Sequence, residues 1–76
     1  MVVYGSMLCP DCVRCLRELD RRGMEYEYRD FAENLLWLRE FLKLRDSEIL
    51  FAEVKAAGKI GIPCIVYGDG TVSLTW

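Results

Sequence analysis

Val2-Val3-Tyr4-Gly5-Ser6-Met7-Leu8-Cys9-Pro10-Asp11-Cys12 is the stretch that decides the fold. Met1 to Gly5 is short, β-branched and aromatic, and it is halted by Gly5-Ser6, which predicts a buried first strand. A loop over Ser6 to Leu8 leads into Cys9-Pro10. Proline has no amide hydrogen to lose at a first helical position, so Pro10 marks a helix start. Val13, Leu16 and Leu19 then recur at three-residue spacing, with Arg14, Arg17, Glu18 and Arg21 mostly on the other side. Gly23 closes that helix as a C-terminal cap would.

Beyond Gly23, Met24 to Arg29 alternates apolar and charged residues, the pattern of a half-buried strand. Asp30 or Asn34 can cap the next helix, whose inward face would be Leu35, Leu38 and Phe41 or Leu42. Asp46-Ser47 interrupts, and a further helix follows with Phe51 and Val54 inward and Gly58 closing it. Cys64 to Tyr67 and Thr71 to Leu74 are two strands, joined by Gly68-Asp69-Gly70 with the glycines a tight hairpin needs. A strand–helix–strand opening implies a right-handed crossover between parallel strands, and the short turn makes the final hairpin antiparallel. The expectation is one α/β domain over residues 1–76, a four-stranded mixed sheet with helices on both faces and no helix after the last strand.

Seventy-six residues suffice for one core and no more. With 53% of residues apolar and 29% charged, the chain can bury enough surface to offset its ordering entropy. Ten Lys/Arg against twelve Asp/Glu give a formal charge of −2, which argues against electrostatically driven nucleic-acid binding. His is absent, and with it go imidazole acid–base chemistry and imidazole metal ligands. The first residues have no basic lead before the apolar run, and nothing approaches the roughly 18 apolar residues of a membrane span. The chain is therefore expected in the cytoplasm, with no membrane and no nucleic acid among its partners.

In a reducing compartment a CxxC is redox-active or metal-binding more often than structural. A helix N-terminus supplies free amides and partial positive charge that stabilise a thiolate, the species that attacks disulfides. That assigns Cys9 as nucleophile and Cys12, one turn further in, as resolving thiol. Asp11 works slightly against the thiolate and makes the couple more reducing. Two bland readings stand beside this: small buried residues, or a stable disulfide. Cys15 shares a helix face with Cys12, and Cys64 follows Pro63. Cys9, Cys12, Cys15 and Cys64 are thus an alternative ligand set for zinc or an iron–sulfur cluster, four thiolates being the right number. Against that set stand the lack of two separated CxxC pairs and of a glycine after Cys12, so the reading preferred for Cys15 and Cys64 is as small core residues. Pro63, at the start of a strand after Gly61-Ile62, can be cis or trans. Leu36 and Trp37 widen the apolar arc of their helix, either as a broad core contact or as the surface of a homodimer or a redox-inert interaction domain, which the edge after Leu74 would also serve.

Strand, Cys9-Pro10-Asp11-Cys12, helix, strand, helices, Ile62-Pro63 and the Gly68-Asp69-Gly70 hairpin together resemble a glutaredoxin-related protein of the thioredoxin superfamily, along nearly the whole chain. The resemblance implies a thioredoxin/glutaredoxin-like fold and an enzyme, a thiol–disulfide oxidoreductase acting in redox homeostasis through Cys9 and Cys12. It makes Pro63 the cis proline packed against the active cysteines. Pro10, Asp11, Ile62 and Pro63 would touch the substrate, a disulfide-containing protein or a glutathione mixed disulfide. Glutathione-using relatives carry a basic residue where this chain has Met7 and an aromatic where it has Asp11. No tightly bound cofactor is implied; electrons would come from glutathione as co-substrate, with Lys59 its candidate contact, or from a reductase.

Overall fold

Two period-2 patterns set the layers. Along β1 (Val2–Gly5) Val3 and Tyr4 are both buried but point to opposite faces, and so do Cys64 and Ile65 of β3 (Cys64–Val66). The computed structural model, which describes all residues Met1–Trp76, orders the remaining elements as α1 (Pro10–Arg21), β2 (Glu27–Asp30), α2 (Leu35–Ser47), a single 3₁₀ turn Ile49–Phe51 running into α3 (Ala52–Ala56), and β4 (Val72–Ser73). The four strands form one mixed sheet in the order β2-β1-β3-β4. β1 and β2 are parallel, with Val3 opposite Tyr28 and Gly5 opposite Asp30. β3 is antiparallel to both β1 and β4.

On one face Val3 and Ile65 pack with Cys15 and Leu19 of α1; on the other, Tyr4 and Cys64 pack with Phe41 of α2 and Phe51. Helices therefore cover both faces, as the element order implies. No helix is long and apolar enough to cross a membrane.

Several expectations are corrected in detail. The fully inward line of α1 is Cys12, Cys15 and Leu19, with Val13 and Leu16 only half-buried beside it. Gly23 does take a positive φ just past that helix. β2 begins at Glu27 rather than Met24, because its parallel register with Val2 starts there. Asn34, not Asp30, caps α2, its side chain accepting the Leu36 amide at 2.9 Å. The inward stripe of α2 is Trp37, Leu38, Phe41 and Leu44, in phase with Phe41, so Leu35 and Leu42 face outward. α2 runs through Asp46 to Ser47 instead of stopping there, and the following helix opens as a 3₁₀ turn. In the hairpin only Gly70 has positive φ, and Asp69 accepts the Thr71 amide at 2.9 Å to close the turn; the paired strands are shorter than expected.

Candidate active site

Cys9 and Cys12 stand at the top of the sheet because β1 ends in Gly5 and α1 starts only after a short loop. The loop is fixed by its own polar groups. Ser6 is buried; its carbonyl accepts the Cys9 amide at 3.0 Å and its hydroxyl accepts the Leu8 amide at 3.1 Å. The buried Asp30 carboxylate, at the end of the neighbouring strand, accepts the Met7 amide at 3.2 Å and the Ala32 amide at 2.9 Å. Asp30, considered from sequence only as a helix cap, thus ties the loop before the cysteines to the loop after β2.

Cys9 is the N-cap of α1, in extended conformation at φ −98°, ψ 116°, and Pro10 takes the first helical position. Its sulfur accepts the Cys12 amide at 3.3 Å, one of the amides a helix leaves unsatisfied at its start. Cys9 is half-buried and Cys12 fully buried; both are free thiols. Burial pushes the Cys12 thiol up to about 12, with the Cys9 sulfur adding to the rise and the Ser6 backbone opposing it. Asp11 is exposed and paired with Arg14 on the outer side of the helix. The packing between β1 and α1 is close: a Cβ on Gly5 would lie 2.7 Å from the Cys12 sulfur.

An open cavity of about 750 Å³ reaches from this end of the molecule, and Ser6, Leu8, Cys9, Asp11, Lys59 and Ile62 are among its walls. Most of its lining is apolar, and Leu8 is 90% exposed at its rim. The far wall is the segment before β3, with a cis Ile62–Pro63 peptide and Gly61 at φ +93° lying against the Phe51 ring. Arg45 of α2 holds that segment, donating to the Ile60 carbonyl at 2.8 Å and the Lys59 carbonyl at 2.7 Å. Nothing in its local sequence marks Arg45 for this; the two carbonyls are 14 and 15 residues away.

No family model matches the chain, and no solved structure matches it. An uncharacterized protein of Haemophilus influenzae is 36% identical to it over 73 residues, which span 96% of this chain and 85% of that protein. The chain belongs to the family of that protein.

In this member of the family, the structure brings Cys9, Asp11, Ile62 and Lys59 to one cavity, leaves Pro10 exposed at its helix start, and buries Pro63. It does not assemble the four-thiolate set considered for zinc or iron–sulfur. Cys15 packs on the α1 face and Cys64 on the opposite one, with the sheet between them, and no three Cys, Asp or Glu side chains gather into a ligand group. Both thiols sit in apolar cores, where burial raises them, Cys64 to about 12. Leu36 and Trp37 also part company: Trp37 packs on the core and Leu36 faces outward. One residue has no counterpart in the sequence reading. The Tyr28 hydroxyl is buried beside the cysteine pair with no hydrogen-bond partner.

Proposed function

We propose that the protein is a thiol–disulfide oxidoreductase with a thioredoxin-like, glutaredoxin-related architecture. The observation that carries this reading is the unequal cysteine pair: a Cys9 sulfur half-open to a cavity and bonded to a helix N-terminal amide, with a fully buried Cys12 one turn behind it. The order of elements, the parallel β1–β2 pair and helices on both faces are compatible with that architecture.

The Cys9 thiolate attacks one sulfur of a substrate disulfide. A Cys9–substrate disulfide forms, the substrate S–S bond breaks, and the departing thiolate takes a proton from water. Cys12 then loses its proton, which ends on the hydroxide left by that first protonation, and attacks the Cys9 sulfur; the Cys9–Cys12 disulfide forms and the second substrate thiolate leaves with the electron pair. The dithiol has given up two electrons and the substrate has gained them. Two molecules of glutathione, or a dithiol reductase, restore the reduced pair. Lys59 on the cavity wall can meet a carboxylate of glutathione, while the apolar walls suit the side chains of a protein substrate. The cytoplasm, being reducing, keeps such a pair ready to act.

Replacement of each cysteine tests the assignment. Cys9→Ser is expected to abolish disulfide reduction, and Cys12→Ser to accumulate mixed disulfides on Cys9 that mass spectrometry detects. A Cys9→Ser variant with full reductase activity would refute the reading. Titration in a glutathione buffer separates the donors: about −200 to −230 mV with a glutathione adduct on Cys9 favours glutathione, and about −270 mV without it favours a reductase. If no Cys9–Cys12 disulfide forms at any poise, the protein is not an oxidoreductase of this kind.

A further inference from the structure

Strand register puts Tyr28 beneath the cysteine pair. It lies opposite Val3 across the parallel β1–β2 ladder and packs against the cluster that Val3, Cys15, Leu19 and Ile65 form on the α1 face. Its hydroxyl reaches the space that Gly5 leaves open. The position a Cβ would take on Gly5 is 3.4 Å from that hydroxyl and 2.7 Å from the Cys12 sulfur, so both atoms border the same small space. The hydroxyl is enclosed and makes no hydrogen bond. A buried unpaired hydroxyl is destabilising, and phenylalanine would supply the same ring without it.

We infer that Tyr28 is a positioning residue for the resolving step: its hydroxyl donates a hydrogen bond to the Cys12 sulfur when that sulfur becomes a thiolate. The inference rests on the oxidoreductase reading. In the reduced protein Cys12 keeps its proton, and its neutral sulfur, a weak acceptor, makes no hydrogen bond with the hydroxyl. Once Cys9 is held in a mixed disulfide, Cys12 must ionise where water does not reach. An O–H donor to that sulfur is then charge-assisted and roughly twice as strong as a neutral bond. Tyr28 remains a donor and does not act as a base: burial raises its pKa, and Asp30, Glu33 and the sulfurs of Cys12 and Cys9 raise it further. On the Cys12 side the other facing groups are the Cys9 and Cys15 sulfurs and the Ser6 backbone. As the Cys12 electron pair becomes the new S–S bond and the substrate thiolate departs, the hydroxyl loses its charged partner and is unpaired again.

A single turnover with dithiobis(nitrobenzoate) isolates the step, because the first coloured thiolate released reports attack by Cys9 and the second reports attack by Cys12. For Tyr28→Phe the first release is expected at the parental rate. The second should be about tenfold slower, with its pH profile moved up by about one unit and a melting temperature no lower than the parent's. A fluorinated tyrosine at position 28, a more acidic donor, should move the second profile the opposite way with the ring in place. Parental second-release kinetics and pH profile in both variants would overturn the inference. So would a loss in both releases that tracks a falling melting temperature, since that is the signature of a purely structural ring. A parent protein with no second release and no Cys9–Cys12 disulfide would instead sink the oxidoreductase reading itself.

Discussion

The two faces of the sheet are built from different materials. Under α1 the fully buried residues are small or slender, Val3, Gly5, Cys12, Cys15, Leu19 and Ile65, with the partly buried Tyr26 and Tyr28 packed against that cluster, and helix and strand lie close enough that a Cβ on Gly5 would collide with Cys12. Under α2 and α3 the core is aromatic. Phe41 is fully buried with its ring 5.3 Å from Phe31, 5.9 Å from Phe51 and 6.4 Å from Tyr4. That face also carries a polar clasp at its edge, where Arg29 donates to Glu40 at 2.7 Å and to the Tyr4 hydroxyl at 2.9 Å while lying over the Tyr4 ring. Large rings supply buried area, the main stabilising quantity in a small domain. Small residues supply closeness, which brings the start of α1 and its two cysteines onto the end of the sheet. One face supplies most of the buried ring area, and the other carries the cysteine pair.

The sharpest way to break this division is Phe41→Ala. Removing a fully enclosed ring with three aromatic neighbours is expected to lower stability by about 3–5 kcal/mol, a large part of the total for a domain this size. Cys15→Ala on the other face should lower it by only roughly 1 kcal/mol, one buried heavy atom being lost. Urea denaturation measures both, and equal losses would show that the faces do not differ as described.

Next in size is Gly5→Ala. The added methyl meets the Cys12 sulfur and comes within 3.4 Å of the Tyr28 hydroxyl, so the small face must open. The expected loss is about 1–3 kcal/mol, together with faster alkylation of the otherwise buried Cys12. Gly68→Ala is the control, since nothing lies within 4 Å of its Cβ position. A Gly5→Ala protein with parental stability and a protected Cys12 would mean that closeness on this face is not needed.

The last effect shows only at high pH, where both faces contribute buried thiols. Burial raises Cys12 and Cys64 from 9.0 to about 12 in the folded chain. Folded-state values above the unfolded ones mean that unfolding releases protons at high pH. The stability these thiols contribute is therefore whole below about pH 9 and is lost as pH rises toward 12. Urea midpoints should fall over that window, and Cys64→Ala should flatten the fall without touching the Cys9–Cys12 pair. A midpoint unaffected by pH across the window would show that neither thiol is as enclosed as the structure has it.

Much of the fold was legible because it is local. Pro10 after a short apolar strand starts a helix wherever the chain goes next, and Gly23, Gly58 and Gly70 take the positive φ that their turns require. Cys9 and Cys12 were legible for the same reason, four consecutive residues defining a helix start and a pair one turn apart. Phase was less secure. The run Leu35-Leu36-Trp37-Leu38 offers several possible stripes, and only the sheet facing α2 selects the one in register with Phe41. The fate of Cys15 and Cys64 was beyond local reading too, because which face of a sheet a thiol joins depends on strand alternation and on the helix laid over it.

By itself the sequence determined the order of elements, the helix start at Pro10 and the place of Cys9 and Cys12 on it, since these follow from backbone chemistry within a few residues. Only the tertiary structure decided which groups stand around that pair. Asp30 reaches back to the loop at Met7, Arg45 crosses to the carbonyls of Lys59 and Ile60, and Tyr28 comes under Cys12 through its register with Val3. Each of these contacts joins segments distant in the chain, and the packing of two helices on a twisted sheet, with no local preference to announce it, brings them together.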